Sequence, residues 1–167
     1  MKKVLLSVLA ATLLIPSLTS CGSKDEVAAA SITVSEPVVR AVDAMSPGNK
    51  ETGKFMTGSF VTIANSSDED VTLTGGSSES AGIIEIHEVI DGAMVPMSGG
   101  LVIPAKGNVK LRMGGYHVML MELAEKLAPG DEVTVTLEFS NGETVDYTAP
   151  VKEIAMDDEV YGVEGGM

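Results

Sequence analysis

The chain contains only two histidines among its 167 residues, and each lies close to methionines in or beside a segment that reads as a β-strand. His87 is followed by Met94, and His117 is separated from Met119 by one residue. Imidazole nitrogen and thioether sulfur together are ligands for copper, and thioethers favour the soft monovalent ion. These four residues are therefore the first candidates for function, as a site in which Cu(I) is favoured.

The second histidine lies in a strand with a clear alternating pattern. Side chains two residues apart share one face of a strand, so Tyr116–Met121 presents His117, Met119 and Met121 together. His117 and Met119 are near enough to bind one ion, and Met121, one step further along, is the weaker candidate. Gly114-Gly115 precedes the strand, which places His117 at an end of the domain, where loops gather and sites are common.

The first histidine lies near the end of the strand Gly82–Ile90. The Asp91-Gly92 pair that follows is a strong tight-turn signal, and the turn carries Met94 and Met97 back toward His87. Two segments of this kind can together form a site with two histidine and two methionine ligands. Glu85 and Glu88 flank His87 and can orient an imidazole, although exposure to solvent is the favoured interpretation for both. Methionine is also a common core filler, so spacing alone leaves an ordinary structural role open.

The rest of the chain reads as many short strands separated by turns. This pattern predicts an all-β sandwich or barrel, with one helical turn near residues 122–127 as the single candidate helix. The predicted strands are Ser31–Val39, Ser59–Ala64, Val71–Thr74, Gly82–Ile90 with its return through Met94, Leu101–Pro104, Val109–Met113, Tyr116–Met121, Glu132–Phe139 and Thr144–Pro150.

The N-terminus has the features of a bacterial lipoprotein signal. Lys2 and Lys3 precede the apolar stretch Val4–Ile15, and Leu18-Thr19-Ser20-Cys21 has the form of a lipobox. We predict a signal peptide over residues 1–20, a lipid on Cys21, a tether over 21–30, the folded domain over 31–154 and a flexible acidic tail over 155–167. The protein is then exported and lipid-anchored, on the outer face of the cytoplasmic membrane or in the periplasm or outer membrane.

Composition excludes several other functions. The formal charge of −13 disfavours nucleic-acid binding, because such a chain repels phosphate. The single cysteine is the predicted lipid site, which leaves no thiol for a disulfide or for the thiolate that a blue-copper electron-transfer site needs. With no Trp, three Phe and three Tyr, a stacking platform for bases or sugars is unsupported.

From Ile83 to Phe139 the chain resembles the PCu(A)C family of exported copper chaperones, and weaker similarity extends the match to most of residues 31–152. The segments that carry the resemblance are His87-Glu88-Val89, Asp91-Gly92-Ala93-Met94, Gly99-Gly100-Leu101-Val102-Ile103-Pro104-Ala105 and Gly114-Gly115-Tyr116-His117-Val118-Met119-Leu120-Met121. The last of these is the most specific.

The resemblance implies a cupredoxin-like β-sandwich or barrel of Greek-key type with copper near one end. Its ligand motif carries over directly to His87, His117 and Met119. The fourth ligand is implied to be Met94, with Met97 as the alternative, because the segment between His87 and Gly99 is shorter than the usual family form. The implied role is delivery of Cu(I) to an acceptor, such as the copper centre of a respiratory oxidase or another copper chaperone.

Two other classes of protein compete with this interpretation. A structural or adhesion β-sandwich lipoprotein that binds no metal would look the same over residues 22–82, but it would not need both histidines close to methionine. An enzyme is disfavoured, since no nucleophile–histidine arrangement is compelling and no GxxxxGK[ST] phosphate loop occurs.

Overall fold

The computed structural model describes residues 30–42 and 54–154. The predicted signal peptide, Cys21, nearly all of the tether and the acidic tail lie outside these ranges and stay predictions. No helix within the described ranges is long and apolar enough to cross a membrane. Ten strands are formed: β1 Ile32–Arg40, β2 Thr57–Asn65, β3 Val71–Ser77, β4 Ala81–Ile90, β5 Ala93–Pro96, β6 Leu101–Ile103, β7 Asn108–Lys110, β8 His117–Leu123, β9 Glu132–Phe139 and β10 Thr144–Lys152.

The strands form two layers that continue into one another. The first layer has the order β5-β4-β8-β2-β1, and β7 also pairs with β2. The second has the order β10-β9-β3-β6, and a short parallel pairing of β1 with β10 joins it to the first. All the other strand pairs are antiparallel. The predicted all-β class is confirmed.

Alternating side chains from both layers build the core. On β2 the odd-numbered residues are buried and the even-numbered ones half-buried, while β9 alternates between buried and exposed or half-buried positions. Val61 and Ile63 from the first layer and Val135 and Leu137 from the second are among the most deeply buried side chains. Alternation of this kind gives the first layer a second, outward-facing surface, and that surface carries the candidate ligands.

Two details differ from the sequence prediction. The strand predicted over Val109–Met113 ends at Lys110, and residues 111–116 form a loop, although the Leu111 side chain is still buried in the core. The helical turn predicted near residues 122–127 is wrong: β8 continues to Leu123, and bends follow it. Glu122 adopts a positive φ of 54°, which ends the regular strand there without starting a helix.

β7 and β8 are two parts of one interrupted edge on β2. Val109 of β7 pairs with Ile63 of β2, and Val118 of β8 pairs with Ser59 further along the same strand. The loop between them leaves the sheet at Arg112 and returns at Tyr116, where the Arg112 N–H donates to the Tyr116 carbonyl over 2.8 Å. This loop leads directly into His117.

Candidate metal centre

The two histidines face each other on neighbouring strands. His87 of β4 is the direct cross-strand partner of His117 of β8, and one step along the same face Glu85 is the partner of Met119. Both imidazoles are buried, with 8% of His87 and 4% of His117 exposed. The sequence placed each histidine at a strand end near methionine, and the antiparallel register is what brings the two rings together.

One nitrogen of each ring is held by a protein oxygen. His87 Nε2 lies 2.8 Å from a Glu85 carboxylate oxygen, and His117 Nδ1 lies 2.9 Å from the Gly115 carbonyl oxygen. An ionised carboxylate and a carbonyl can only accept hydrogen bonds, so these two ring nitrogens carry the protons. In the neutral imidazoles the lone pairs are therefore on His87 Nδ1 and His117 Nε2.

Those two lone-pair nitrogens are buried and lack a hydrogen-bond partner among the described residues. Buried polar atoms are nearly always satisfied, so a pair of orphaned nitrogens in one place calls for a ligand. The ring centres are 5.8 Å apart and tilted by 51°. Metal–imidazole bonds are about 2 Å long, so rings that share one ion have centres within roughly 6 Å of each other. The spacing fits a shared ion.

The electrostatic environment keeps His117 in the ligand form. Burial lowers the pKa of His117; the hydrogen bond to Gly115 acts in the opposite direction, and the neighbouring His87 lowers the pKa further. A lowered pKa means that the ring is neutral at physiological pH, and only a neutral imidazole offers a lone pair to a metal.

The methionines of the candidate set occupy different positions. Met119 is 4% exposed and shares the site face with His117, whereas Met94 is 60% exposed at the edge of the same face, opposite Val89. Met97 lies elsewhere: its N–H donates to the Ile86 carbonyl over 2.8 Å, and its side chain packs against the core. The register thus brings Met94 to the side of the sheet that carries the imidazoles and takes Met97 to the other.

An aromatic side chain borders the site on the β2 side. Phe60 lies on the half-buried face of β2, and its ring centre is 6.4 Å from that of His117. Gly58, the β2 partner of Met119, leaves room for that ring, because a Cβ at position 58 would lie 3.1 Å from the Phe60 ring. The site is therefore bordered by an apolar ring on one flank, and on the other flank β5 places Pro96 opposite His87 and the exposed Met94 opposite Val89.

Several contributors were not identified from the sequence alone. Glu85 contacts His87 with one carboxylate oxygen while its side chain stays 41% exposed, so the expected exposure to solvent and the contact with the imidazole occur together. The Gly115 carbonyl, the Phe60 ring and the small Gly58 had no assigned role. The Gly114-Gly115 pair before His117 was the available signal for the carbonyl contact, and alternation along β4 was the signal for Glu85. Phe60 and Gly58 are placed by the register between β2 and β8, which alternation does not give.

The donors are an unusual combination for a metal centre. Within residues 30–42 and 54–154 no three His, Cys, Asp or Glu side chains cluster in a way that could hold a metal ion. The potential ligands here are two neutral imidazoles and neighbouring thioethers, a set that suits a soft ion such as Cu(I).

The fold and the paired imidazoles define a small cupredoxin-like β domain with a candidate metal centre on one outward sheet face. By sequence the chain belongs to the LpqE-like family: residues 32–151 match the family described as "Putative lipoprotein LpqE-like". It is 34% identical over 116 residues to "Putative lipoprotein Lxx21020" of Leifsonia xyli subsp. xyli (strain CTCB07), a match that covers 67% of this chain and 70% of that relative.

Solved structures with the same fold are PCuAC domains. The "Copper-bound PCuAC domain from PmoF2" matches with a TM-score of 0.60 at 22% identity and covers 75% of this chain and 95% of that domain. The "Solution structure of CuI-DR1885 from Deinococcus Radiodurans" matches with a TM-score of 0.58 at 29% identity and covers 79% and 85%. The resemblance to PCu(A)C proteins predicted from sequence is confirmed, as is the cupredoxin-like fold.

Proposed function

We propose that this protein is an extracytoplasmic copper chaperone that carries one Cu(I) on His87, His117, Met119 and Met94. The observation that carries the proposal is the pair of buried imidazole nitrogens left without partners while the opposite nitrogen of each ring is fixed. A ring held in this way is already oriented and in the correct tautomer for a metal.

The thioethers determine which ion is carried. Met119 supplies a buried sulfur beside His117, and Met94 supplies an exposed one across the open edge. Thioethers stabilise Cu(I) over Cu(II), and four neutral ligands leave the ion with its positive charge. Met94 is preferred to Met97 as the fourth ligand, because the Met97 side chain packs against the core.

Release follows from the exposure of the same residues. Because Met94 lies at the rim of the site, a metal-binding side chain of an acceptor protein can replace its sulfur before the buried ligands dissociate from the ion. Stepwise ligand exchange suits a carrier better than a storage site. The acceptor we propose is a copper-binding protein outside the cytoplasm, such as a respiratory-oxidase subunit or another copper chaperone, and the protein itself has no enzymatic role.

Two similarities support this proposal. The PmoF2 and DR1885 domains share the fold, and the titles of their structures name copper and CuI respectively. The match to a family described as lipoproteins supports export and a lipid on Cys21, which would hold the site at a membrane surface.

X-ray absorption of the domain from Gly22 onward, loaded with one equivalent of Cu(I), tests the ligand set. We expect both nitrogen and sulfur in the first coordination sphere, and loss of loading in the His87→Ala and His117→Ala variants. A coordination sphere without sulfur, or copper loading that persists in both variants, would contradict the proposal. It would favour the alternative, a β-sandwich lipoprotein that binds no metal.

Transfer is tested separately by mixing the Cu(I)-loaded domain with an apo copper-binding domain of a respiratory oxidase and separating the two proteins. Copper on the acceptor is the expected result. A control in which the acceptor is loaded directly shows that it can bind copper. If all the copper nevertheless stays on the donor, the oxidase is not the acceptor, whereas the proposed copper site is not affected by this result.

A further inference from the structure

A second group of methionines lies on the same sheet face as the candidate centre, on the side away from Met94. We call Met56, Met119 and Met121 the thioether patch. Met119 and Met121 are two residues apart on β8 and so share one face. Met56 directly precedes Thr57, whose partner on β8 is Leu120, so Met56 lies beside Met121 at that end of the pairing.

Burial indicates that Met56 and Met121 face outward with Met119. The residues on either side of Met56 face inward, because Thr57 is buried and Phe55 packs against the core. Met56 and Met121 are themselves half-buried, and neither belongs to the core or to the side chains packed on it. Both therefore lie on the outward face of the first layer.

The spacing allows the three sulfurs to meet. Opposed residues on neighbouring antiparallel strands have Cβ atoms about 4.5–5.5 Å apart, and diagonal neighbours are roughly 7–8 Å apart. Methionine is unbranched, with three rotatable bonds, and closes gaps of this size readily. Gly58, the β2 partner of Met119, lies between Met56 and the histidine end of the face, and the Phe60 ring lies over it.

We propose that the thioether patch is a second site for a soft monovalent ion, adjoining the first and sharing Met119 with it. Three neutral sulfurs select Cu(I) or Ag(I) over hard and divalent ions, and without an imidazole they hold the ion more weakly than the first site does. Met119 then exchanges the ion between the patch and the histidines. The patch supplies a route on and off the imidazoles that does not pass Met94.

This inference goes beyond the proposed function, because the patch does not need the histidines. Its test is a titration of the His87→Ala/His117→Ala variant with Ag(I), followed through the NMR signals of methyl-labelled methionines. We expect the methyl signals of Met56, Met119 and Met121 to shift together, while Met97 serves as an internal control that stays unchanged. If the signals of Met56 and Met121 do not shift in the folded variant, the proposal is wrong, and the two side chains only cover apolar surface of the sheet.

A second measurement does not depend on the folding of the double-histidine variant. In the wild-type protein the first equivalent of Ag(I) is expected to shift Met119 and the histidine signals, and the second to shift Met56 and Met121. The Met56→Leu/Met121→Leu variant should keep the first event and lose the second. If the variant still binds a second equivalent of Ag(I), the proposed site at the thioether patch is wrong. If the first equivalent leaves the histidine signals of the wild-type protein unchanged, the proposed function is contradicted instead.

Discussion

At the residue scale, binding depends on which nitrogen of each imidazole is left without a proton. Glu85 and the Gly115 carbonyl each accept a hydrogen bond from one ring nitrogen, and the other nitrogen of each ring is buried without a partner. A histidine pair on the surface would satisfy these nitrogens with water. Here each ring is oriented before an ion arrives, which lowers the reorganisation that binding requires.

The Glu85→Gln substitution tests this orientation. A glutamine keeps the size of the side chain but removes the charge that favours the Nε2–H tautomer of His87, so we expect the Cu(I) affinity to fall by about tenfold. Glu88→Gln is the matched control, because Glu88 has the opposite position in the strand alternation. Equal affinities for the two variants, measured by chelator competition, would remove Glu85 from the site.

The fourth ligand is tested by Met94→Leu against Met97→Leu. Because Met94 shares the face of the imidazoles and Met97 packs on the core, we expect Met94→Leu to weaken Cu(I) binding and Met97→Leu to leave it near the wild-type value. Met97→Leu is a swap of similar volume and should cost less than about 1.5 kcal/mol of stability. The opposite order of affinities would assign the thioether to Met97.

The sequence alone predicts the proposed ligands but not the residues that surround them. Strand alternation alone puts His117 with Met119, and the Asp91-Gly92 turn returns Met94 toward His87. It does not give the register that sets His87 opposite His117 or the pairing that sets Gly58 beside Met119. Glu85 was ambiguous, because a carboxylate two residues before a histidine on one strand face can either point to solvent or contact the ring, and alternation does not decide between the two.

At the element scale, the loop between β7 and β8 orients the imidazole of His117. Gly114 adopts a positive φ of 74°, which lets the chain turn so that the Arg112 N–H reaches the Tyr116 carbonyl and the Gly115 carbonyl points at His117 Nδ1. The sequence pattern predicts a strand over Val109–Met113 that ends at Gly114-Gly115, whereas the regular strand already ends at Lys110. Alternation does not show this earlier end, because Leu111 is apolar and occupies a core position in either case.

Gly114→Ala is expected to weaken Cu(I) binding. An alanine at positive φ costs about 1–2 kcal/mol, and the strain is relieved by moving the loop and so withdrawing the Gly115 carbonyl from His117. Gly142→Ala is the matched control: Gly142 has a φ of 84° in the hairpin between β9 and β10, and at both glycines an added Cβ meets nothing within 4 Å. Both variants should lose similar stability in urea unfolding. Unchanged copper affinity in Gly114→Ala would show that the loop does not position the ring.

At the scale of the whole molecule, the two layers are joined where β1 meets β10, and a buried polar pair lies close to that junction. Tyr147 of β10 and Ser59 of β2 share a hydrogen bond of 2.8 Å inside the core. Ser59 neighbours Val118 of β8 in the site-bearing layer. The contact therefore connects the second layer to the strand beside the histidines.

Tyr147 gives the fold a dependence on alkaline pH. Burial raises the pKa of Tyr147 to about 12, with the Ser59 hydrogen bond acting in the opposite direction. The folded state thus keeps its proton where an unfolded tyrosine, with a pKa near 10, loses it. The protonated phenol contributes stability that is complete below pH 10 and is lost as the pH rises toward 12, by about 2–3 kcal/mol.

Urea unfolding of the wild-type protein and of Tyr147→Phe, each at pH 8 and pH 11, measures the contribution of the Tyr147 phenol to the free energy of unfolding. The other titrating groups are common to both proteins, so the wild type should lose more stability between the two values than the variant does. An equal loss in both would mean that the phenol titrates normally. At pH 8 the variant should be less stable by about 1 kcal/mol, because Ser59 loses its buried partner.

The architecture was more predictable than the site for a physical reason. Each strand is specified locally by alternation and turn residues, and nine of the strand positions follow from the sequence with shifts at their ends. How the strands are ordered depends on long-range pairing, such as β1 beside β10, which no local pattern encodes. The resemblance to PCu(A)C proteins predicted the cupredoxin-like class of the fold, which the structure confirms.

The most direct test of the central claim is a Cu(I) competition titration of the domain from Gly22 onward against a colorimetric chelator, with His117→Ala beside the wild type. We expect one tightly bound equivalent in the wild-type protein and its loss in the variant, since the Nε2 lone pair of His117 is removed. No wild-type binding above the chelator background, or equal binding by the variant, would contradict it.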